Sequence, residues 1–394
     1  MFSLMKIKVS GYRMLKDEFE INFISKSRVN SDDEEIIEID SNLYTFNIMA
    51  FTGGNSSGKS TTLELIAKVI ELMKTGRWVY RKFDFESDKI NLYLEFYKDG
   101  YIYKYDSNIL PLEDIDSFEI ENPYCKIVNE KISKAKYSSN VGKRYNRELN
   151  FVETFEQDLK IEDTSKLLFI CKDSVTGYNI KPFSNNIRYI NNNFFESLNK
   201  FNDKLTFSII QLLDEGIEYI NYISRDTIAL KRYNKVEKIV TRRELISQLS
   251  NGTLKGIELY ISIVNLLKTG GAMIIDEIEN CFHKNLVNNI LFLLTDKTIN
   301  KNNAQLFFST HYVEILDVFE RRDNIYILHK ENNEINIKNL YSDYEIRTEL
   351  SKSKQFNNNT FNTLLNYVKL MEVRRLIKNE ISNSNWRWMW IRLN

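Results

Sequence analysis

The chain has 394 residues, 43% of them hydrophobic and 27% charged, with 54 Lys+Arg balancing 54 Asp+Glu. That length holds core for two or three domains, and with no net charge any pull on a polyanion must come from a local patch. The absence of an 18-residue apolar run or a basic-then-apolar leader excludes a membrane span and a secretory signal, and three scattered cysteines (Cys125, Cys171, Cys281) make no scaffold or metal site, so a soluble cytoplasmic protein is expected.

The chain opens with Ile7-Lys-Val-Ser-Gly-Tyr-Arg-Met-Leu-Lys-Asp17. Tyr44 to Thr52 is apolar enough for one buried strand, and Thr61 to Met73 spaces Leu63, Ile66, Ala67, Ile70 and Met73 along one helix face. Between them Gly53, Gly54, Asn55, Ser56, Ser57, Gly58, Lys59 and Ser60 complete the pattern G-x-x-x-x-G-K-[ST]. Strand, glycine loop and helix bring backbone N–H groups and a helix N-terminus to one point, a cradle for nucleotide phosphates that runs on to Thr61. Lys59 is placed to reach the β- and γ-phosphates and Ser60 to hold Mg²⁺. A chance match is the alternative, but Gly53, Gly54 and Gly58 come from a chain with only 13 glycines. Four fixed positions coincide by accident in roughly one chain of this size in a hundred. The chain is therefore expected to bind ATP.

Beyond the loop, Lys89–Tyr97 and Tyr101–Tyr105 read as strands joined by Lys98-Asp-Gly100, a hairpin signal. Residues 131–147 carry Lys131, Lys134, Lys136, Lys143, Arg144 and Arg147 with Tyr137 and Tyr145 among them. Such a loop can grip nucleic acid by phosphate contacts and stacking, although a solvated insertion loop is the reading favoured here. A second basic run, 231–243, is open to contact with a facing ATP, with DNA, or to being an ordinary charged hairpin. Leu249-Ser250-Asn251-Gly252-Thr253 then precedes a helical pattern of Leu254, Ile257, Ile261, Val264 and Leu267. Gly271-Ala-Met-Ile-Ile-Asp276-Glu277 is a short apolar strand ending in two acids, and Ala304-Gln-Leu-Phe-Phe-Ser-Thr-His311 is another ending in a histidine. Asp276 suits Mg²⁺, Glu277 the attacking water, and His311 the γ-phosphate or that water, and strand ends of this kind gather on one rim of an open α/β sheet. The tail, Asn385 to Arg392, sets Trp386, Trp388 and Trp390 at every second position, which on a strand makes one aromatic face, for a partner or for the core.

In that order the loop, Leu-Ser-Asn-Gly-Thr, Ile-Ile-Asp-Glu-Ile-Glu-Asn and Ser-Thr-His resemble an ABC-type ATPase head. Within that class the opening segment and Asp276-Glu-Ile-Glu-Asn-Cys-Phe-His283 are similar to the OLD-like (overcoming lysogenization defect) group of antiphage-defence ATPases. Asn251 stands where the pattern has a glycine and Lys284 where it has a proline. The resemblance implies an α/β head, a mixed sheet with the phosphate loop at its core plus an antiparallel β layer, formed by residues 1–85 and 190–345. Residues 86–189 would be a hairpin and insertion region and 346–394 a helical tail. It implies ATP and Mg²⁺ as cofactors, a homodimer or higher oligomer of heads, and no membrane. In such pairs each head lends Ser250 and Gly252 to the ATP on the other's loop, with Lys59, Glu277 and His311 catalytic and Ser60 and Asp276 on the metal. The function expected is a sensor or regulator of a separately encoded effector in antiphage or stress response. The nuclease domain of larger relatives has no counterpart among the residues after His311. A DNA-repair or chromosome-handling ATPase is the alternative; a transporter subunit and a non-hydrolysing scaffold fit the spacing and Glu277 less well.

Overall fold

Alternating apolar residues in two families of strands, one antiparallel and one parallel, build two sheets with a helix between them. The computed structural model describes residues 1–111, 124–154, 164–175, 182–183, 203–224, 227–280, 282, 284–345, 351–361 and 367–391. Its strands are β1 (Phe2–Ser10), β2 (Phe19–Asn22), β3 (Ile36–Asp40), β4 (Leu43–Phe46), β5 (Ile48–Gly53), β6 (Ile90–Lys98), β7 (Tyr101–Leu110), β8 (Lys126–Lys136) and β9 (Val152–Glu153). After them come β10 (Pro182–Phe183), β11 (Ile217–Tyr222), β12 (Thr227–Arg232), β13 (Lys238–Thr241), β14 (Ala272–Ile275), β15 (Gln305–Thr310), β16 (Ile325–Glu331) and β17 (Glu334–Asn339). The helices used below are α1 (Lys59–Thr75), α2 (Tyr145–Glu148), α3 (Leu167–Val175), α4 (Asp203–Leu213), α5 (Arg242–Gln248), α6 (Asn251–Thr269), α7 (Lys284–Thr295), α8 (Lys352–Asn357) and α9 (Tyr367–Ile391).

The first sheet is ordered β2-β1-β6-β7-β8-β9, with each neighbouring pair antiparallel. The expected hairpin is present: Asp99 and Gly100 both have positive φ (48° and 85°), the turn whose twist matches its flanking strands. The second sheet is ordered β10-β14-β15-β5-β16-β17 and is parallel except for its β16–β17 edge. All six residues of β5 are buried, as a parallel strand covered on both faces requires. Its side chains alternate, with Met49 and Phe51 packing among α1 and the antiparallel sheet, and Ile48 and Ala50 joining α6 and α7 on the other side.

Helix α1 is gripped from two sides. Leu63, Leu65, Ile66, Val69, Ile70, Leu72 and Met73 share one core with Ile7, Leu92 and Leu94 of the first sheet and Phe307 and Leu328 of the second. Each such aliphatic side chain contributes about 1.5–3 kcal/mol when fully buried. The helix stops at Gly76, which adopts φ 71° and returns its N–H to Leu72.

Four expectations change. The strand read over Tyr44–Thr52 breaks at Asn47, where the chain leaves the β3–β4 pair for the central sheet. The buried Asn47 side chain marks that crossing by donating to the carbonyls of Glu34 (2.7 Å) and Leu294 (3.0 Å). Residues 131–136 are the end of strand β8, not a loop, because they pair in antiparallel register with Tyr101–Asp106 of β7. Tyr137 and Tyr145 are buried, with hydroxyls donating to the Ser41 carbonyl and to Glu95, so neither is available to stack on a base. The tail is helical through Ile391, which removes the strand face read for Trp386, Trp388 and Trp390. The side chains of those tryptophans and of Arg242, with Cys281 and His283, lie outside the described residues. Among the described residues no helix is long and apolar enough to cross a membrane.

Candidate functional site

The order of the parallel sheet brings the sequence motifs together. The phosphate loop leaves β5, the Ser-Thr-His segment leaves β15 beside it, and the acid pair leaves β14 one strand further on, all at carboxyl ends. Loop geometry explains two of the glycines. Gly53 has φ 152°, and a Cβ there would lie 2.4 Å from the Leu328 carbonyl oxygen, a backbone atom on the adjacent strand that cannot turn aside. Gly58 has φ 100° and caps α1, with the Ile335 side chain 2.6 Å from where its Cβ would stand. Ser56 takes a left-handed conformation (φ 58°), so the turn closes tightly on the helix N-terminus. Asn55 and Ser56 are exposed with Ser60, while Gly54, Gly58 and Thr61 are half-buried and Ser57 is buried.

Lys59 is buried, and its ammonium donates to the carbonyls of Gly53 (3.1 Å) and Gly54 (3.0 Å). Burial pushes it below the ordinary lysine range, an effect opposed by the negative charges of Glu277, Asp276 and Glu279. His311 lies 3.4 Å from that ammonium through Nδ1 and 3.6 Å from Glu277 Oε1 through Nε2. A charged ammonium has only hydrogens to offer, so Nδ1 accepts and Nε2 carries the ring proton toward the carboxylate. Lys59, His311 and Glu277 are thus one chain of contacts across three strand ends.

The acid pair is held by a residue that sequence reading passed over. Ser309, fully buried in β15 two residues before His311, accepts the Glu277 N–H (2.7 Å) and donates its own proton to Asp276 Oδ1 (2.5 Å). The Glu277 backbone is left-handed (φ 50°), a conformation uncommon for a non-glycine residue and sustained by surrounding contacts. Those contacts include the Ile278 N–H to the Ser309 carbonyl (3.0 Å), the Asn280 N–H to the Glu277 carbonyl (2.9 Å) and the Asn280 amide to Glu277 Oε2. Glu279 was also missed: its Oε1 accepts the His311 N–H (2.6 Å), while its buried Oε2 has no hydrogen-bond partner. The signal for both lay in the alternation Asp-x-x-Glu and in the serine of Ser-Thr-His.

Ser250 and Gly252 do not join this cluster. They are exposed at the head of α6, where Ser250 Oγ accepts the Thr253 N–H (3.0 Å) and so caps the helix.

A parallel sheet that carries its phosphate loop, acids and histidine on adjoining strands, with an antiparallel layer across the loop helix, is the mixed α/β arrangement that the resemblance to an ABC-type ATPase head implied. Residues 186–317 match the family model described as an AAA domain, putative AbiEii toxin, Type IV TA system; the match takes in the acid pair and His311 but not the phosphate loop. Among solved structures the chain is similar to an SMC head domain from Thermotoga maritima, at 15% identity and a TM-score of 0.44, covering 87% of this chain and 99% of that one. It is similar to a recombination mediator RecF bound to ATPrS (12% identity, TM-score 0.34, 85% and 98% covered). A dimeric ATP-binding cassette in a post-hydrolysis state with ADP and Pi also matches (12%, 0.31, 85% and 99%). No curated protein matches the sequence.

Proposed function

We propose that this chain hydrolyses ATP as one of two heads paired head to tail, each placing Ser250 and Gly252 against the nucleotide on the other's phosphate loop. The observation that carries this reading is the exposed Ser250 turn, which stands apart from the Lys59–His311–Glu277 cluster of its own chain. In each half the loop amides and Lys59 take the phosphate charge, Glu277 accepts a proton from the attacking water, and His311 sits between them to register the γ-phosphate. Ser60 and Asp276 offer a hydroxyl and a carboxylate, hard oxygen donors that suit Mg²⁺, an ion that keeps several waters and takes few protein ligands. That ion would supply charge neutralisation on the phosphates. The γ-phosphate then favours the closed pair by differential contact, and its loss relaxes it.

The biological reading is a sensor or regulatory ATPase of the OLD-like kind, acting on a separately encoded effector in antiphage or stress response. The toxin–antitoxin wording of the matched family supports it. A DNA-handling role is the second reading, favoured by the exposed Lys235, Lys238 and Arg243 on the β12–β13 hairpin and its exit.

The experiment is turnover against oligomeric state. Glu277→Gln should hold ATP, trap the pair and hydrolyse about 10²–10⁴-fold more slowly. Ser250→Arg should prevent pairing. Should Ser250→Arg turn over normally and stay single when saturated with ATP, the paired mechanism is wrong.

A further inference from the structure

We propose that Arg232 is the positioning residue that sets the Ser250 turn for the opposite head's ATP; this rests on the paired-head reading above. Arg232 ends strand β12, and its guanidinium spans two other elements. One arm lies 3.2 Å from Asp214 Oδ2, just past the end of α4, and the other donates to the Gln248 carbonyl (3.2 Å), the last residue of α5. Only Leu249 separates that carbonyl from Ser250.

Both anchors are themselves fixed. Asp214 accepts the Gly216 N–H (3.0 Å) through its other oxygen and extends α4 with its own N–H to the Ile210 carbonyl (2.9 Å). Helix α4 packs closely on α6, since a Cβ on Gly256 would lie 2.6 Å from the Leu213 side chain. The opposite end of α5 is closed by a reciprocal cap, Thr241 Oγ1 accepting the Glu244 N–H and the Glu244 carboxylate accepting the Thr241 N–H. With its start capped by its own sequence, α5 has its far end set by Arg232, a cation where the helix dipole favours one. The Ser250 turn inherits that position. A planar fork reaches two acceptors at once, and an ammonium on a flexible stem does not. The side chain is one-third exposed, so its loss opens no core cavity and its ion pair adds little to stability.

The test is complementation between purified full-length variants. Arg232→Ala alone should bind a fluorescent ATP analogue like wild type, melt normally, and turn over roughly 10- to 100-fold more slowly, the cost of a lost charged hydrogen bond. Arg232→Lys should be intermediate. Mixed before ATP is added, Arg232→Ala and Glu277→Gln form pairs in which the first supplies an intact Glu277 and the second an intact Ser250 turn. In the first turnover, before ATP held in the Glu277→Gln site keeps the pair closed, random pairing restores about a quarter of the wild-type phosphate burst, one working site in half of the pairs. Ser250→Ala, which removes the hydroxyl without blocking the interface, mixed with Glu277→Gln is the control. If that control recovers and Arg232→Ala does not, or if Arg232→Ala is fully active alone, the role of Arg232 is refuted. If the control itself stays inactive, the paired-head reading fails and takes this inference with it.

Discussion

Replacing Ser309 by alanine isolates the hydroxyl on which the acid pair depends. In the native chain that oxygen accepts the Glu277 N–H at 2.7 Å and donates to Asp276 at 2.5 Å, with no solvent exposure at Ser309. Alanine removes both bonds, so the Glu277 N–H loses this acceptor and one Asp276 oxygen loses this donor. An unsatisfied buried group costs about 1–3 kcal/mol. The left-handed Glu277 is also released from its principal restraint, and relaxation toward ordinary φ values swings its carboxylate away from His311. Stability should fall by about 1–3 kcal/mol, read as a lower urea midpoint with an unchanged slope. Phosphate release should slow by roughly 10- to 100-fold, since each 1.36 kcal/mol of lost transition-state stabilisation is a factor of ten. ATP binding, which rests on the loop from β5, should change far less. Ser309→Ala with native turnover and a native midpoint would show that the hydroxyl holds nothing.

Two further outcomes follow from the same contacts. Gly53→Ala forces a methyl group to 2.4 Å from the Leu328 carbonyl oxygen, so nucleotide binding measured by calorimetry should be lost while Gly100→Ala, whose Cβ meets nothing within 4 Å, retains it. Asp323 is buried, which would raise its pKa, but Arg321 and the N–H groups of Ser27 and Lys26 outweigh that and hold it below the usual carboxylate range. Its stabilising contribution is complete above the unfolded value of about 3.9 and is lost as pH falls through the lower folded value. Acid titration followed by circular dichroism should therefore show Asp323→Asn destabilised at neutral pH and flatter than wild type below pH of about 4.

The phosphate loop, the acid pair and His311 were legible because each is a local pattern whose chemistry fixes its place on a strand end. The hairpin at Asp99-Gly100 was legible for a similar reason, its turn demanding positive φ at two adjacent residues. What escaped was set by distant partners. Nothing local announces that Asn47 will bridge the Glu34 and Leu294 carbonyls, so the strand read over Tyr44–Thr52 ran straight through the crossing. Tyr137 and Tyr145 sit in a basic stretch that suggests solvent, yet the Met5, Ile24 and Leu43 cluster takes them inward. Ser309 looked like an ordinary member of a buried strand, because its value comes from the turn of Glu277, thirty-odd positions away in the chain.

The double grip on α1 has a mechanical consequence. A rod clamped along two flanks has no slack of its own, so a load applied at the phosphates passes straight into both sheets and bends neither. On the far side of the central sheet α4, the three-stranded β11–β13 ribbon and α6 hang on the opposite core, which α1 does not enter. That lobe is the one that bears Ser250.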